Sequence, residues 1–193
     1  MLESIVKRIQ KTYSLFRYVE LTPTKEVENA EQSYLLSEIK NASIRSALEN
    51  YLIALILGSI VFFILNYLFD SSSIMVYGIT SILTIIIYLA LFAILSELYT
   101  ILAKLFGGKS DFTSIFYIAS LTIAPISSIG IGLSPLPIVG RIVTLAVSLI
   151  NIGYWGRVIN ITTGLEGWKA ILVWLIGQII VFAPLFIFGI IKL

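Results

Sequence analysis

Few side chains in this sequence could carry chemistry, and Glu97 is the best placed of them. The chain has no histidine and no cysteine, which excludes imidazole acid–base chemistry and zinc sites of the usual Cys/His kind. Glu97 lies in a long apolar run, and a carboxylate at membrane depth usually faces protein, water or a cation. Arg157, in a later run, could supply that cation. We therefore predict a Glu97–Arg157 ion pair that joins two helices. The alternatives are a Glu97 at headgroup level and a role in proton relay or ion coordination.

Residues 103–110 have the spacing of a relaxed phosphate-binding loop, with Gly-Lys-Ser at its end. That chemistry would place Lys109 at the terminal phosphates of a nucleotide. A phosphate loop joins a buried strand to a helix, however, whereas this segment joins two apolar runs. We therefore interpret Gly107 and Gly108 as a helix end followed by a sharp turn. Together with Lys104 and Lys109 they form a candidate interaction loop.

No arrangement of nucleophile, acid and base emerges that would indicate catalysis. We predict a protein that is not an enzyme and that binds no cofactor and no metal. A net charge of +2 and the lack of a basic stripe with interleaved aromatics argue against nucleic acid as a partner. Hydrophobic residues make up 58% of the chain and charged residues only 12%, far from the balance of a soluble domain. Most of the chain is therefore expected to fold in lipid.

Five apolar runs follow a charged N-terminal region. Residues 51–69 form the first run, which contains no charged side chain and has about the length that crosses a bilayer core as a helix. We predict an all-α integral membrane protein, with a helical cytoplasmic N-terminal region at residues 1–49 and a five-span helical bundle at residues 50–193. The predicted spans are residues 51–69, 74–95, 112–131, 138–159 and 168–191.

The distribution of Lys and Arg orients these spans. Cations precede the first span and flank the second-to-third and fourth-to-fifth connections, whereas the other two connections contain no Lys or Arg. Only Arg141 and Lys192 fall on the opposite side. The positive-inside rule therefore predicts a cytoplasmic N-terminus and a C-terminus on the outer side. The cations that determine this orientation are Lys40, Arg45, Lys104, Lys109, Arg157 and Lys169.

The N-terminal region contains two predicted helices. In the first, apolar residues from Leu2 to Val19 recur mostly three and four apart, with Lys7 and Lys11 on the opposite face. This amphipathic helix either lies in the membrane interface or packs on a partner or on the protein's own loops. The pair Thr22-Pro23 predicts the start of the second, polar helix, which continues to the first span.

Small and polar residues within the spans suggest how the helices pack. Ser120, Ala124 and Ser128 repeat at four-residue spacing and would let another helix approach closely. Pro125, within the same span, is expected to kink it. The isolated polar residues Asn66, Asn151 and Gln178 indicate hydrogen bonds between helices more readily than a transport path.

The loop motifs recur in an order that resembles one known family. They are Ala103-Lys104-Leu105-Phe106-Gly107-Gly108-Lys109, then Phe112, Pro125, Pro135-Leu136-Pro137, Thr163-Gly164-Leu165 and Lys169-Ala170. This set resembles the Yip domain family, named for the Ypt-interacting proteins of eukaryotes. The resemblance covers roughly residue 23 to the C-terminus.

The Yip resemblance implies a five-span bundle with a cytoplasmic N-terminus. In eukaryotes the family is linked to Rab-type GTPases and vesicle traffic. Here Gly107-Gly108 stands where the eukaryotic members have an Asp-Leu-Tyr-Gly-Pro type of motif, and the N-terminal region is shorter. The chain looks closer to the prokaryotic members, which implies the cell membrane of a prokaryote.

Two classes of function follow from the sequence. The first is a non-enzymatic membrane adaptor or scaffold, in membrane organisation or trafficking, which binds a protein partner at the cytoplasmic face through its N-terminal helices and the loop at residues 104–111. The second is a small transporter, channel or lipid-handling protein that uses Glu97, Asn151 and Gln178; an accessory subunit of a larger complex is a third option. Scarcity of ionisable groups in the spans favours the adaptor. The expected partners are the lipid bilayer, a protein and, as a further option, a second copy of the chain.

Overall fold

A computed structural model describes residues 2–14, 25–69 and 74–187, and these residues form seven helices and no strand. The all-helical fold predicted from the sequence is confirmed for this part of the chain. The helices are α1 (Leu2–Thr12), α2 (Lys25–Ile39), α3 (Ile44–Phe69), α4 (Ile74–Leu105), α5 (Phe112–Leu133), α6 (Val139–Thr163) and α7 (Gly167–Ile187).

Four of the described helices, α3 to α6, are each long and apolar enough to cross a membrane. Their outward surfaces carry many large apolar side chains, such as Ile60 on α3, Ile82 on α4 and Leu149 on α6. A continuous apolar surface of this kind is unfavourable in water. α7 is apolar as well, over Gly167–Val181. The bundle is therefore compatible with a membrane, as the composition predicts.

α5 is the central helix of the bundle. Every residue from 114 to 128, including Pro125, is buried. α3, α4 and α6 pack around this helix, and α1 and α2 also contact it. Its first turn is capped by Asp111, whose Oδ1 accepts a hydrogen bond from the Ser114 backbone N–H at 2.9 Å. α5 thus contacts every other described helix except α7, which packs on α4 and α6.

α3 approaches α5 most closely at Gly58. A β-carbon at this glycine would lie 2.6 Å from the backbone oxygen of Ser128 and 3.0 Å from its Cα, so only glycine fits without a shift. The face of α5 that carries Ser120, Ala124 and Ser128 packs on α3. Asn50 Nδ2 of α3 donates a hydrogen bond to Ser120 Oγ at 3.1 Å. Ala124, between the two serines, is fully buried. Small side chains thus hold the two helices in close contact.

The connections between helices define two ends of the bundle. At the near end the α4–α5 and α6–α7 connections meet, where the Lys109 N–H donates to the Thr163 oxygen at 3.0 Å; α1 and α2 also pack here. The far end carries the α3–α4 and α5–α6 connections. Gly107 and Gly164, with φ of 85° and 69°, form the near-end turns, a conformation that favours glycine.

Some helix bounds differ from the predicted spans. α3 begins at Ile44, before the predicted first span, because Ser43 Oγ accepts the Ser46 N–H at 3.1 Å and caps a new helix. The polar helix predicted to lead into the first span is therefore two helices. The predicted helix start at Thr22-Pro23 lies outside the described residues.

Candidate functional site

A polar cavity of about 310 Å³ lies between α3, α4, α5 and α6, in the far half of the bundle. Most of the described residues that line it carry a hydroxyl or an amide, although these same helices are apolar enough to cross a membrane. The polar lining residues are Ser59, Ser81, Thr84, Tyr88, Ser127, Ser134, Thr144, Ser148 and Asn151.

The sequence places the lining residues of α4 and α6 on one face of each helix. Their spacing is three then four on α4, and four then three on α6, so the side chains of each set lie one above another. Asn151 was singled out from the sequence as an isolated polar residue. The repeating hydroxyls around it were the signal that could have revealed a shared cavity.

Three polar atoms on the cavity wall have no hydrogen-bond partner among the described residues: Ser59 Oγ, Ser81 Oγ and Asn151 Oδ1. Ser59 is only 5% exposed. The other end of the Asn151 amide is occupied, because its Nδ2 donates to Ser127 Oγ at 3.1 Å. A buried polar atom left unsatisfied costs about 1–3 kcal/mol. Each of these atoms is itself shielded from solvent, so water or a ligand in the cavity would satisfy it after a small rotation of its side chain.

Other hydroxyls of the lining are satisfied within their own helix. Ser148 Oγ donates to the Thr144 oxygen at 2.8 Å, and Ser134 Oγ donates to the Ile131 oxygen at 2.8 Å. Bonds of this kind are the usual way in which an apolar helix carries a serine. The three unsatisfied atoms differ from this pattern, and they share one cavity.

An aromatic layer lies between the cavity and the near end. Tyr88 lines the cavity, and its ring centroid is 6.2 Å from that of Phe92. The Phe92 ring lies 4.7 Å from Tyr51 of α3 and 6.3 Å from Trp155 of α6. The Tyr51 ring is also 4.8 Å from Phe116 of α5. Each of the four helices that form the cavity thus supplies a ring to this layer, and Tyr88 is the member of the layer that lines the cavity.

Side chains of α1 and α2 bind the near end of the bundle. Lys11 Nζ lies 2.9 Å from Glu38 Oε2, which also accepts from Tyr117 OH at 2.6 Å. Burial alone would lower the pKa of Lys11, but its bonds to Glu38 and Tyr117 raise that pKa overall, so the ammonium is charged at neutral pH. Just after α1, Tyr13 OH reaches Ser128 Oγ at 3.0 Å, in the far half of α5. α1 therefore packs on the protein's own bundle.

Arg157, which the sequence analysis pairs with Glu97, makes its ion pair with Glu31 of α2. Nη1 of the arginine lies 3.2 Å from Oε2 of Glu31, whose side chain is 6% exposed. Glu97 is exposed, and none of the ion pairs in the described part of the chain includes it. The inner side of that turn of α4 is occupied by Ser96 and Tyr99, both fully buried. Glu97 is thereby left on the outer side of α4.

The candidate interaction loop is partly packed and partly exposed. Gly108 is packed, since a β-carbon there would lie 3.0 Å from the side chain of Leu165. Lys104, Gly107 and Lys109 are exposed. The loop therefore presents two lysines at the near end on a backbone of fixed shape.

The structure does not bring Glu97, Asn151 and Gln178 together. Asn151 lines the cavity, whereas Gln178 Nε2 donates to Tyr99 OH at 2.6 Å between α7 and α4. Of these three residues, only Asn151 belongs to the candidate site. No family model, curated protein or solved structure matches the chain.

Proposed function

We propose that this is a non-enzymatic membrane protein whose far-half cavity receives a small polar molecule or a polar lipid headgroup. The observation that carries the proposal is the group of three unsatisfied polar atoms on the wall of one cavity. A fold that needed only to pack would fill such a space with apolar side chains. The cavity has the volume of a small ligand site. The function therefore belongs to the transport or lipid-handling class.

The packing of α1 and α2 on the bundle favours the ligand-binding function over the adaptor function. An adaptor that binds its partner through the N-terminal helices would keep their charged faces free. Here Lys11 binds Glu38, Glu31 binds Arg157, and Arg8 binds Glu49. The pairs with Arg157 and Glu49 attach α2 and α1 to the bundle, and the Lys11–Glu38 pair joins α1 to α2.

We further propose five spans, with α7 as the fifth, and a cytoplasmic near end. Lys104 lies in the last turn of α4, Lys109 lies in the α4–α5 connection, and Lys169 follows the α6–α7 connection. The positive-inside rule favours the cytoplasm for such an end. The cavity then lies in the outer half of the membrane. The Yip resemblance stays a prediction that agrees with this arrangement.

The proposal predicts that the cavity contains water when the protein is in a membrane. Because the native chain lacks cysteine, Ser148→Cys supplies a single thiol on the cavity wall. Its matched control is Leu149→Cys, the adjacent residue on the outward apolar face of α6. In sealed vesicles, a charged, membrane-impermeant thiosulfonate reagent should modify Ser148→Cys on the order of tenfold faster, because only a hydrated thiol ionises readily.

The labelling experiment has clear contrary outcomes. Equally slow modification of both variants, from either side of the membrane, would mean that the cavity is dry and would contradict the proposed function. Modification of Ser148→Cys from the same side as Lys104→Cys would contradict the orientation. A second pair, Ser81→Cys and Ile82→Cys on α4, should repeat the contrast.

The exposed loop keeps an adaptor as a second candidate function. Lys104 and Lys109 project from the near end and could bind an acidic surface of a cytoplasmic protein. Deletion of residues 1–48 is a poor probe of this function, because it also removes Lys11, Glu31 and Glu38 from the bundle. Charge reversal at Lys104 and Lys109 leaves these contacts intact and is the cleaner probe.

A further inference from the structure

We infer, on the basis of the proposed function, that the cavity selects an uncharged ligand rich in hydroxyl groups: a polyol, or the sugar headgroup of a neutral glycolipid. The inference rests on three properties of the cavity. They are the lack of charge in its described lining, the need of its unsatisfied atoms for a hydrogen-bond donor or acceptor, and its size.

The described lining of the cavity contains no charged side chain. Arg141, three residues before Thr144 on α6, is not among the lining residues. The charged pairs Lys11–Glu38 and Glu31–Arg157 belong to the near end, on the other side of the aromatic layer. Moving an ion into such a site without a partner costs several kcal/mol. A neutral ligand avoids that cost.

The unsatisfied atoms require a ligand that donates at least one hydrogen bond. The Asn151 Nδ2 group is held by Ser127, so its Oδ1 remains as an acceptor that needs a donor. The hydroxyls of Ser59 and Ser81 can each donate and accept. A carboxylate or a fully ionised phosphate group has no proton to give to Asn151. A ligand hydroxyl supplies that donor and can also bond to the two serines in either direction.

The cavity has the size and surfaces that suit a single sugar unit. Its volume of about 310 Å³ corresponds to roughly ten water molecules in the liquid. Phe62 and Tyr88 also line it and supply apolar faces for the C–H surface of a sugar or hexitol. The polar and apolar parts of the wall thus match the two kinds of surface that such a ligand has.

The experiment measures whether ligands protect Ser148→Cys from the thiosulfonate reagent in phosphatidylcholine vesicles. Sorbitol is the uncharged probe, and gluconate and glucosamine are its charged counterparts. We expect sorbitol to slow the modification severalfold, with saturation as its concentration rises, and the two charged probes to have no effect. In a second arm the vesicles contain monoglucosyl diacylglycerol. Protection by this lipid but not by sorbitol would support the same chemistry and identify the ligand as a headgroup.

Two further variants test the role of Asn151. Adding Asn151→Leu to the reporter should abolish the protection. Asn66→Leu is the matched control, because Asn66 Nδ2 donates to the Phe62 oxygen within α3 and the residue does not line the cavity; here protection should persist. If Ser148→Cys reacts rapidly but no uncharged probe protects it, or if the charged probes protect equally, the inference is overturned while the proposed function stands. If Ser148→Cys does not react, the proposed function fails first.

Discussion

Gly58→Ala is expected to destabilise the protein by about 2 kcal/mol, because the added methyl group has no space between α3 and α5. Its β-carbon would meet the backbone oxygen of Ser128 at 2.6 Å. A backbone atom of the central helix cannot rotate away as a side chain can. The two helices must therefore separate, and the hydrogen bond between Asn50 and Ser120 weakens with them. The measurement is the Tm of the purified protein in detergent.

The matched control for Gly58→Ala is Gly78→Ala on α4. No atom lies within 4 Å of a β-carbon at this position. Alanine is the better helix former by about 1 kcal/mol, so this variant should keep or raise the Tm. Equal Tm values for the two alanine variants would contradict the close approach of α3 and α5.

Arg157→Met is expected to cost about 3–5 kcal/mol, because it removes the cation from a buried carboxylate. The Glu31 side chain is 6% exposed and its oxygen lies 3.2 Å from the guanidinium. Loss of Arg157 removes this cationic partner, which favours protonation of the carboxylate or separation of α2 from α6. The result to measure is a loss of thermal stability, together with faster proteolysis near α2.

The Arg157 prediction is tested most sharply by a double variant. Glu31→Leu combined with Arg157→Met replaces the pair with apolar side chains, and such replacement of a buried pair is often neutral; most of the lost stability should return. Lys7→Met, which breaks the exposed pair with Glu3, should have no measurable effect. If the double variant is no more stable than Arg157→Met alone, the Glu31–Arg157 pair is not the cause of the loss.

The helical fold could be predicted from the sequence because it depends on composition and on the length of apolar runs. The position of a residue within an apolar run indicates how far along the helix, and therefore how deep in the membrane, that residue lies. The same reasoning predicts that Ser120, Ala124 and Ser128 share one face of their helix, since residues four apart lie one above another. Features that follow from one helix alone are therefore accessible without a structure.

The ion pair shows where this reasoning stops. Glu97 and Arg157 were paired because their charges are opposite and they lie at a similar depth in the membrane. The sequence of an apolar span does not show which side of its helix faces the other helices. Buried Ser96 and Tyr99 place Glu97 on the outer side. The actual partner, Glu31, lies in the N-terminal region, which the sequence treats as a separate domain. Its docking onto α6 depends on tertiary contacts between distant segments.

The cavity was missed for a related reason. A serine in an apolar helix normally bonds to its own backbone, as Ser148 does, so the hydroxyls in the spans carried no individual signal. Only the assembly of four helices shows that Ser59, Ser81 and Asn151 surround one space. The sequence contains polar residues three and four apart on α4 and on α6. It does not show that the polar faces of these helices lie opposite one another.

The measurement that tests the central claim most directly is an electron cryomicroscopy map of the full chain in lipid nanodiscs, with a bound antibody fragment to add mass. We predict ordered density inside the cavity, within hydrogen-bond distance of Ser59 Oγ, Ser81 Oγ and Asn151 Oδ1, that has the shape of water or of a polar ligand. A cavity closed by contact between α4 and α6, or one filled by an acyl chain with the three polar atoms turned away, would contradict the account.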